Sequence, residues 1–264
     1  MTFGLLRGLA GRPLWIAGVL ADIVGIAGQG LALHAGSLIA VEALTTTGVL
    51  FALAFDTGAE ASRLRVLDWV SASLLVASLA VFVGVGSPQG GNAPTTWRPW
   101  LLAVAICTAM TFAAHVLARG TSPVRRSVAL GVATGTIWAF AAAVFKALID
   151  SVDRHGLGAL VSWMPVALVA LAIGGMIVNQ TAFQAARLSW TLPAMTVTQP
   201  MVGVLVAALV FSERLGVSGP ATLVVVISGA VALGNVGVLA HRQGRHQQAH
   251  GPVAPAPARN GQES

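Results

Sequence analysis

Apolar positions in this chain fall in long unbroken runs, not at every second or every third and fourth residue. Runs close to the ~20 residues a helix needs to cross hydrocarbon predict transmembrane helices. Eight are read, at 14–34, 37–55, 68–86, 99–118, 127–148, 163–186, 191–211 and 219–240. Trp15, Trp69, Trp97, Trp100, Trp163 and Trp190 sit at or beside the start of a run, as an interfacial belt does; Trp138 lies mid-span. The expected class is an all-α, polytopic membrane protein.

Composition agrees with that pattern. The chain is 56% hydrophobic and 9% charged, and its mean hydropathy is +0.80, outside the soluble globular range. A net charge of +6 would suggest nucleic acid in a soluble protein. Here the cations lie between apolar runs, where they set membrane orientation, so no nucleic-acid partner is expected. With the N-terminus inside, the cytoplasmic segments hold Arg7, Arg12, Arg63, Arg65, Arg119, Arg125, Arg126, Arg187, Arg242, Arg245 and Arg259. The outer side holds only Arg98, Lys146, Arg154 and Arg214. That asymmetry predicts a multi-pass protein of the cell (plasma) membrane with a cytoplasmic C-terminus. A single cysteine, Cys107, excludes an internal disulfide. The opening MTFGLLRGLAGRPLW lacks the continuous apolar core of a signal peptide. Residues 241–264 are polar and Pro-rich and are expected to form a disordered cytoplasmic extension.

Two stretches break the apolar monotony, GIAGQGLALHAGSL at 25–38 and GMIVNQTAFQAARL at 175–188. At an offset of 150, Gly25 falls on Gly175, Gln29 on Asn179, Ala32 on Ala182 and Leu38 on Leu188; at 151, Arg63-Leu64 falls on Arg214-Leu215 and Val66 on Val217. The register divides the chain into an N-terminal half, 1–118, and a C-terminal half, 127–240. Because 14–34 and 163–186 cross in opposite directions, the halves are expected to be inverted repeats, the plan that underlies alternating access. The helix at 127–148 has no partner in the first half; its counterpart would precede Met1, so an upstream start is expected.

The stretches at 32–38 and 182–188, with Thr198-Gln199-Pro200 and VGVLVAALVFSERL at 202–215, resemble repeats of the drug/metabolite transporter superfamily, EamA-like. The order Arg-Pro-Leu-Trp-x-x-Gly at 12–18 is closer to the NIPA-like magnesium transporter branch. The resemblance covers roughly residues 12–240 and implies a helical carrier with a central cavity.

Chemistry then rests on few residues. Asp22, Gly25 and Gln29 share one face of the first span, and Asp22 is costly in lipid unless it meets a partner or a wet cavity. Glu42, with Thr45 and Thr46 beyond it, can bind a cation, take a proton or bond a neighbouring helix. Together Asp22 and Glu42 form the candidate metal set, for magnesium. Asp22, Gln29, Glu42, Trp138, Asn179, Gln180 and Gln199 are the candidate substrate-binding residues, and Pro200 is the candidate hinge, since it removes a mid-membrane hydrogen bond. Lys146 is expected to snorkel at the outer face, or else to pair with a substrate anion or with Asp150. Gly131 and Gly135 form a small-xxx-small packing face.

The expected activity is transport of a small solute, not an enzymatic reaction, and no cofactor is expected. A small organic metabolite is favoured narrowly over magnesium, and a non-transporting scaffold is the alternative of another class. The expected partners are the substrate, the lipid bilayer and, as a candidate, a second copy in a homodimer.

Overall fold

The computed structural model describes residues 13–48, 66–91, 96–119, 122–185 and 188–249. They form eight α-helices: α1 (Pro13–Ala35), α2 (Leu38–Thr45), α3 (Val66–Gly86), α4 (Arg98–Leu117), α5 (Pro123–His155), α6 (Trp163–Ala185), α7 (Leu188–Val210) and α8 (Pro220–Ala249). A short 3-10 turn at Gly156–Val161 follows α5. Two-residue strands β1 (Pro88–Gln89) and β2 (Arg214–Leu215) pair antiparallel. Five helices are long and apolar enough to cross a membrane, and Val70–Gly86 and Pro220–Val236 are shorter apolar segments.

Local chemistry sets several ends. Proline occupies the first turn of α4 and of α5, where its missing N–H costs nothing. At the far end of α5, Gly156 adopts φ +63°, a left-handed exit that favours glycine. The predicted fifth span stops at 148, yet α5 continues to His155. Its last turns stay helical because charged side chains bond back along the helix: Arg154 Nε donates to the Asp150 carbonyl at 3.0 Å. Helix α8 likewise runs to Ala249, into the stretch expected to be unstructured; residues 250–264 lie outside the described residues.

The predicted span 37–55 is described only as far as residue 48. Helix α2 has 8 residues, and at its end Thr45, Thr46 and Thr47 each donate a hydroxyl to the carbonyl three residues back, at 2.8, 2.6 and 2.7 Å. Three consecutive side chains competing for backbone acceptors favour a turn there. Residues 49–65, including Arg63 and Arg65, lie outside the described residues.

Helix α5 is the hub and packs on α7, α6, α4 and α1. Its closest partner is α7. A Cβ on Gly131 would fall 2.6 Å from the Thr191 carbonyl oxygen, and one on Gly135 2.8 Å from that of Met195. The two glycines are the contact face of α5, as their spacing predicts, and the helices run parallel there. Helices α3 and α8 pack antiparallel, Gly86 against Val225 and Phe82 against Gly229. Leu20, Val24, Leu31, Phe112, Val166 and Ile177 are exposed on the outside of the bundle, the surface a lipid-facing helix presents. Trp97, Trp163 and Trp190 are exposed near helix starts.

Candidate functional site

The α1–α2 connection is where distant charges converge. Helix α1 ends at Ala35 with unpaired carbonyls, and α2 begins at Leu38 with unpaired N–H groups, as every helix end must. Lys146 of α5 donates to the carbonyls of Leu33 and Gly36, both at 3.3 Å. Glu213, in the segment after α7, accepts the N–H of Leu38 at 2.8 Å on Oε1 and that of Ile39 at 2.9 Å on Oε2. Ser37 caps the same helix, its Oγ accepting from Ala40 N–H. A cation thus meets the negative end of α1, and a carboxylate the positive end of α2, the sense the helix dipole favours.

Both clamp residues are buried, Lys146 at 4% exposure and Glu213 at 2%. Lys146 Nζ lies 3.7 Å from Asp150 Oδ1 and 5.5 Å from the centroid of the Phe211 ring. This corrects the expectation that Lys146 snorkels: its stem and ammonium turn inward, because two carbonyls, a carboxylate and an aromatic face replace its water. The alternative partner, Asp150, is the one it meets. Burial lifts the Glu213 carboxyl above the ordinary range, against the opposite pull of the Ile39 and Leu38 N–H groups and of Lys146.

One turn into α2 stands Glu42, with 0% exposure. It packs on Gly203 of α7 so closely that a Cβ there would lie 2.6 Å from Glu42 Cγ. Gln199 is the polar side chain beside its carboxyl group, yet neither oxygen has a hydrogen-bond partner of good geometry. A buried carboxyl without partners is costly. The neighbouring residues Ala43 and Pro200 line a cavity of about 370 Å³ between α2, α3, α7 and α8. Its other walls include Phe82, Val204, Leu215 and Val226, and Thr46 is its one polar lining residue among the described residues.

The structure does not bring together all the residues the sequence singled out. Asp22 is exposed on α1 while Glu42 is sealed between α2 and α7, so the two carboxylates form no common metal set. Helix α1 touches α5 near its end, Gly30 against Phe145 and Ile149, and no neighbour lies within 4 Å of a Cβ built on Gly18, Gly25 or Gly28. Gln29 is half-buried beside that contact. Gln180 is exposed, its Nε2 3.8 Å from Met176 Sδ one turn back in α6; next to Asn179 in sequence, it points about 100° away from it around the helix. Trp138 packs against Gly175 of α6 and is a packing residue between α5 and α6. Asn179 lies one turn from Gly175 on that face, its Oδ1 buried without a partner. Gln199 does meet Glu42, and Pro200 does line the cavity. Among the described residues no group of three or more His, Cys, Asp or Glu is assembled.

Glu213 was legible only as a letter in Phe-x-Glu-Arg-Leu. Its partners lie 175 and 174 residues away, and no local pattern signals such a pairing.

The chain is 28% identical over 224 residues to an uncharacterized protein of Corynebacterium glutamicum, a match that covers 82% of this chain and 78% of that one. No family model matches it, and no solved structure matches it.

Proposed function

We propose that this protein is a membrane carrier of the drug/metabolite transporter type, moving a small organic solute by alternating access through the cavity between α2, α3, α7 and α8. The observation that carries the reading is Glu42: a buried, unpartnered carboxyl beside the proline-interrupted helix that walls this cavity. An ionisable group held inside the membrane at such cost marks a solute or proton pathway by default. The cavity falls at the small end of ligand-pocket volumes, and its apolar lining suits a solute with an apolar body.

The repeat reading draws support from the same place. The walls are two helix pairs, α2 with α7 and α3 with α8, that the register equates. Each pair packs antiparallel: Leu38 is level with Glu213 where Glu42 is level with Gly203, and Gly86 is level with Val225 where Phe82 is level with Gly229. Opposed helices of one sequence plan are what an inverted duplication requires.

Magnesium transport is the second reading, favoured by the two unpartnered oxygens of Glu42. It is weakened by the exposure of Asp22 on α1 while Glu42 is buried, since a hydrated divalent cation takes several oxygen ligands. The test is flux in proteoliposomes carrying pH-sensitive and magnesium-sensitive dyes, with wild type, Glu42→Gln and the cavity-filling Ala230→Trp side by side. Solute-dependent proton movement lost in both variants supports the carrier. A magnesium signal abolished by Glu42→Gln moves the assignment to the cation, and silence across a broad solute screen with folded protein moves it to a scaffold.

A further inference from the structure

We propose that the cleft between α4, α5 and α6 binds an anionic phospholipid, with an acyl chain along the cleft and the phosphate at the α4–α5 turn. This does not rest on the carrier reading, because the cleft is separate from the cavity that Pro200 lines.

Helices α4 and α6 flank α5 and touch through the rings of Trp100 and Trp163, whose centroids are 5.3 Å apart. From there a space of about 520 Å³ runs along α5, over Phe140, Ile137 and Ala133, with Leu171 and Val178 on its α6 side. On α4 its lining extends from Val104 to His115, roughly 16 Å at the rise of an α-helix. Ala118, Ala129, Leu130 and Ala182 pack into a small apolar cluster at the end opposite the tryptophans. The space is long, apolar and parallel to the helices, the shape and direction of a lipid tail.

The polar end explains why the lipid would be anionic. His115 lines the cleft there, and Arg119, one turn on, holds its Nη2 3.3 Å from His115 Nε2. Arg125 and Arg126 are exposed at the start of α5, and that helix end has no side-chain cap, so its dipole adds positive potential. No aspartate or glutamate occurs from residue 98 to residue 149, or anywhere in α6. Three arginines therefore stand at this turn with no acidic side chain on the stretches of α4, α5 and α6 that line the cleft. A soluble anion would meet the same cations but leave the apolar cleft empty; an amphiphile satisfies both. Basic residues beside a groove between transmembrane helices are how anionic headgroups are held.

The test is native mass spectrometry of the full chain in detergent, titrated with dioleoyl phosphatidylglycerol or dioleoyl phosphatidylcholine. The expected result is selective retention of phosphatidylglycerol, weakened about tenfold or more in Arg119→Gln/Arg125→Gln, restored in Arg119→Lys/Arg125→Lys, and lost in Thr108→Trp, which fills the cleft from an exposed position. Arg98→Gln, at the other end of α4, should bind as wild type does. The proposal is overturned if the two lipids are retained equally, if Arg98→Gln is as damaging as the double variant, or if Thr108→Trp changes nothing. It is also overturned if inorganic phosphate displaces the phosphatidylglycerol at equal concentration, which would identify a site for soluble anions.

Discussion

Glu213 accepts the backbone N–H of Leu38 across 175 residues of chain, at 2.8 Å, and so ties the segment after α7 to the first turn of α2. Replacing it with alanine leaves the Leu38 and Ile39 N–H groups buried without acceptors. The expected cost is about 1–3 kcal/mol for each group orphaned, read as a lower thermal midpoint of the purified protein in detergent.

The same carboxyl gives a pH dependence. Burial raises its folded pKa above the ordinary value, so the folded protein holds this proton more tightly than the unfolded chain. Such a group contributes stability that is present below the unfolded pKa and is lost as pH rises through the folded one. The thermal midpoint should therefore fall across that interval in wild type, and the fall should be shallower in Glu213→Gln. Equal slopes in the two proteins would show that Glu213 does not set the profile.

Lys146 and Glu213 are not independent. Lys146→Met strands the Asp150 and Glu213 carboxyls and uncaps Leu33 and Gly36, and breaking a buried pair from one side costs about 3–5 kcal/mol. Adding Glu213→Gln should return part of that loss. A double-mutant cycle is expected to give a coupling of about 0.5–3 kcal/mol, and additivity would mean that the two caps act separately.

Glu42 is predicted to trade stability for activity. Exchange for leucine removes two unpartnered oxygens and should leave stability unchanged or higher, by up to about 1–3 kcal/mol, read as an unchanged or raised thermal midpoint, while abolishing coupled flux. Gly203→Ala should do the reverse to the fold. It drives a methyl toward Glu42 Cγ and costs about 1–3 kcal/mol.

Helix positions were largely legible because apolar length is a local property. The expected spans 99–118, 163–186 and 191–211 meet Arg98–Leu117, Trp163–Ala185 and Leu188–Val210 within a few residues. The ends that missed are those decided by side-chain hydrogen bonds. Thr45 and Thr46 read as a polar face but bond back to their own backbone; the fifth span reads as ending at 148, yet α5 runs on to His155. At the site, Glu42, Gln199 and Pro200 were visible as polar or helix-breaking letters in apolar runs. Asp22 was equally visible, yet α1 leans on α5 only through its last turns, and no one-dimensional pattern carries that angle. Gln180 failed for a simpler reason: next to Asn179 in sequence, it is turned 100° from it around the helix.

The length of the Glu213 loop also orders the making of the molecule. A ribosome adding 5–20 residues per second needs roughly 9–35 s to travel from Leu38 to Glu213. For that time the first turn of α2 exists without its carboxylate, and Gly36 and Leu33 wait roughly two-thirds as long for Lys146. The connection between α1 and α2 is thus made with both helix ends uncapped. Lys146 and then Glu213, on arriving, fasten it.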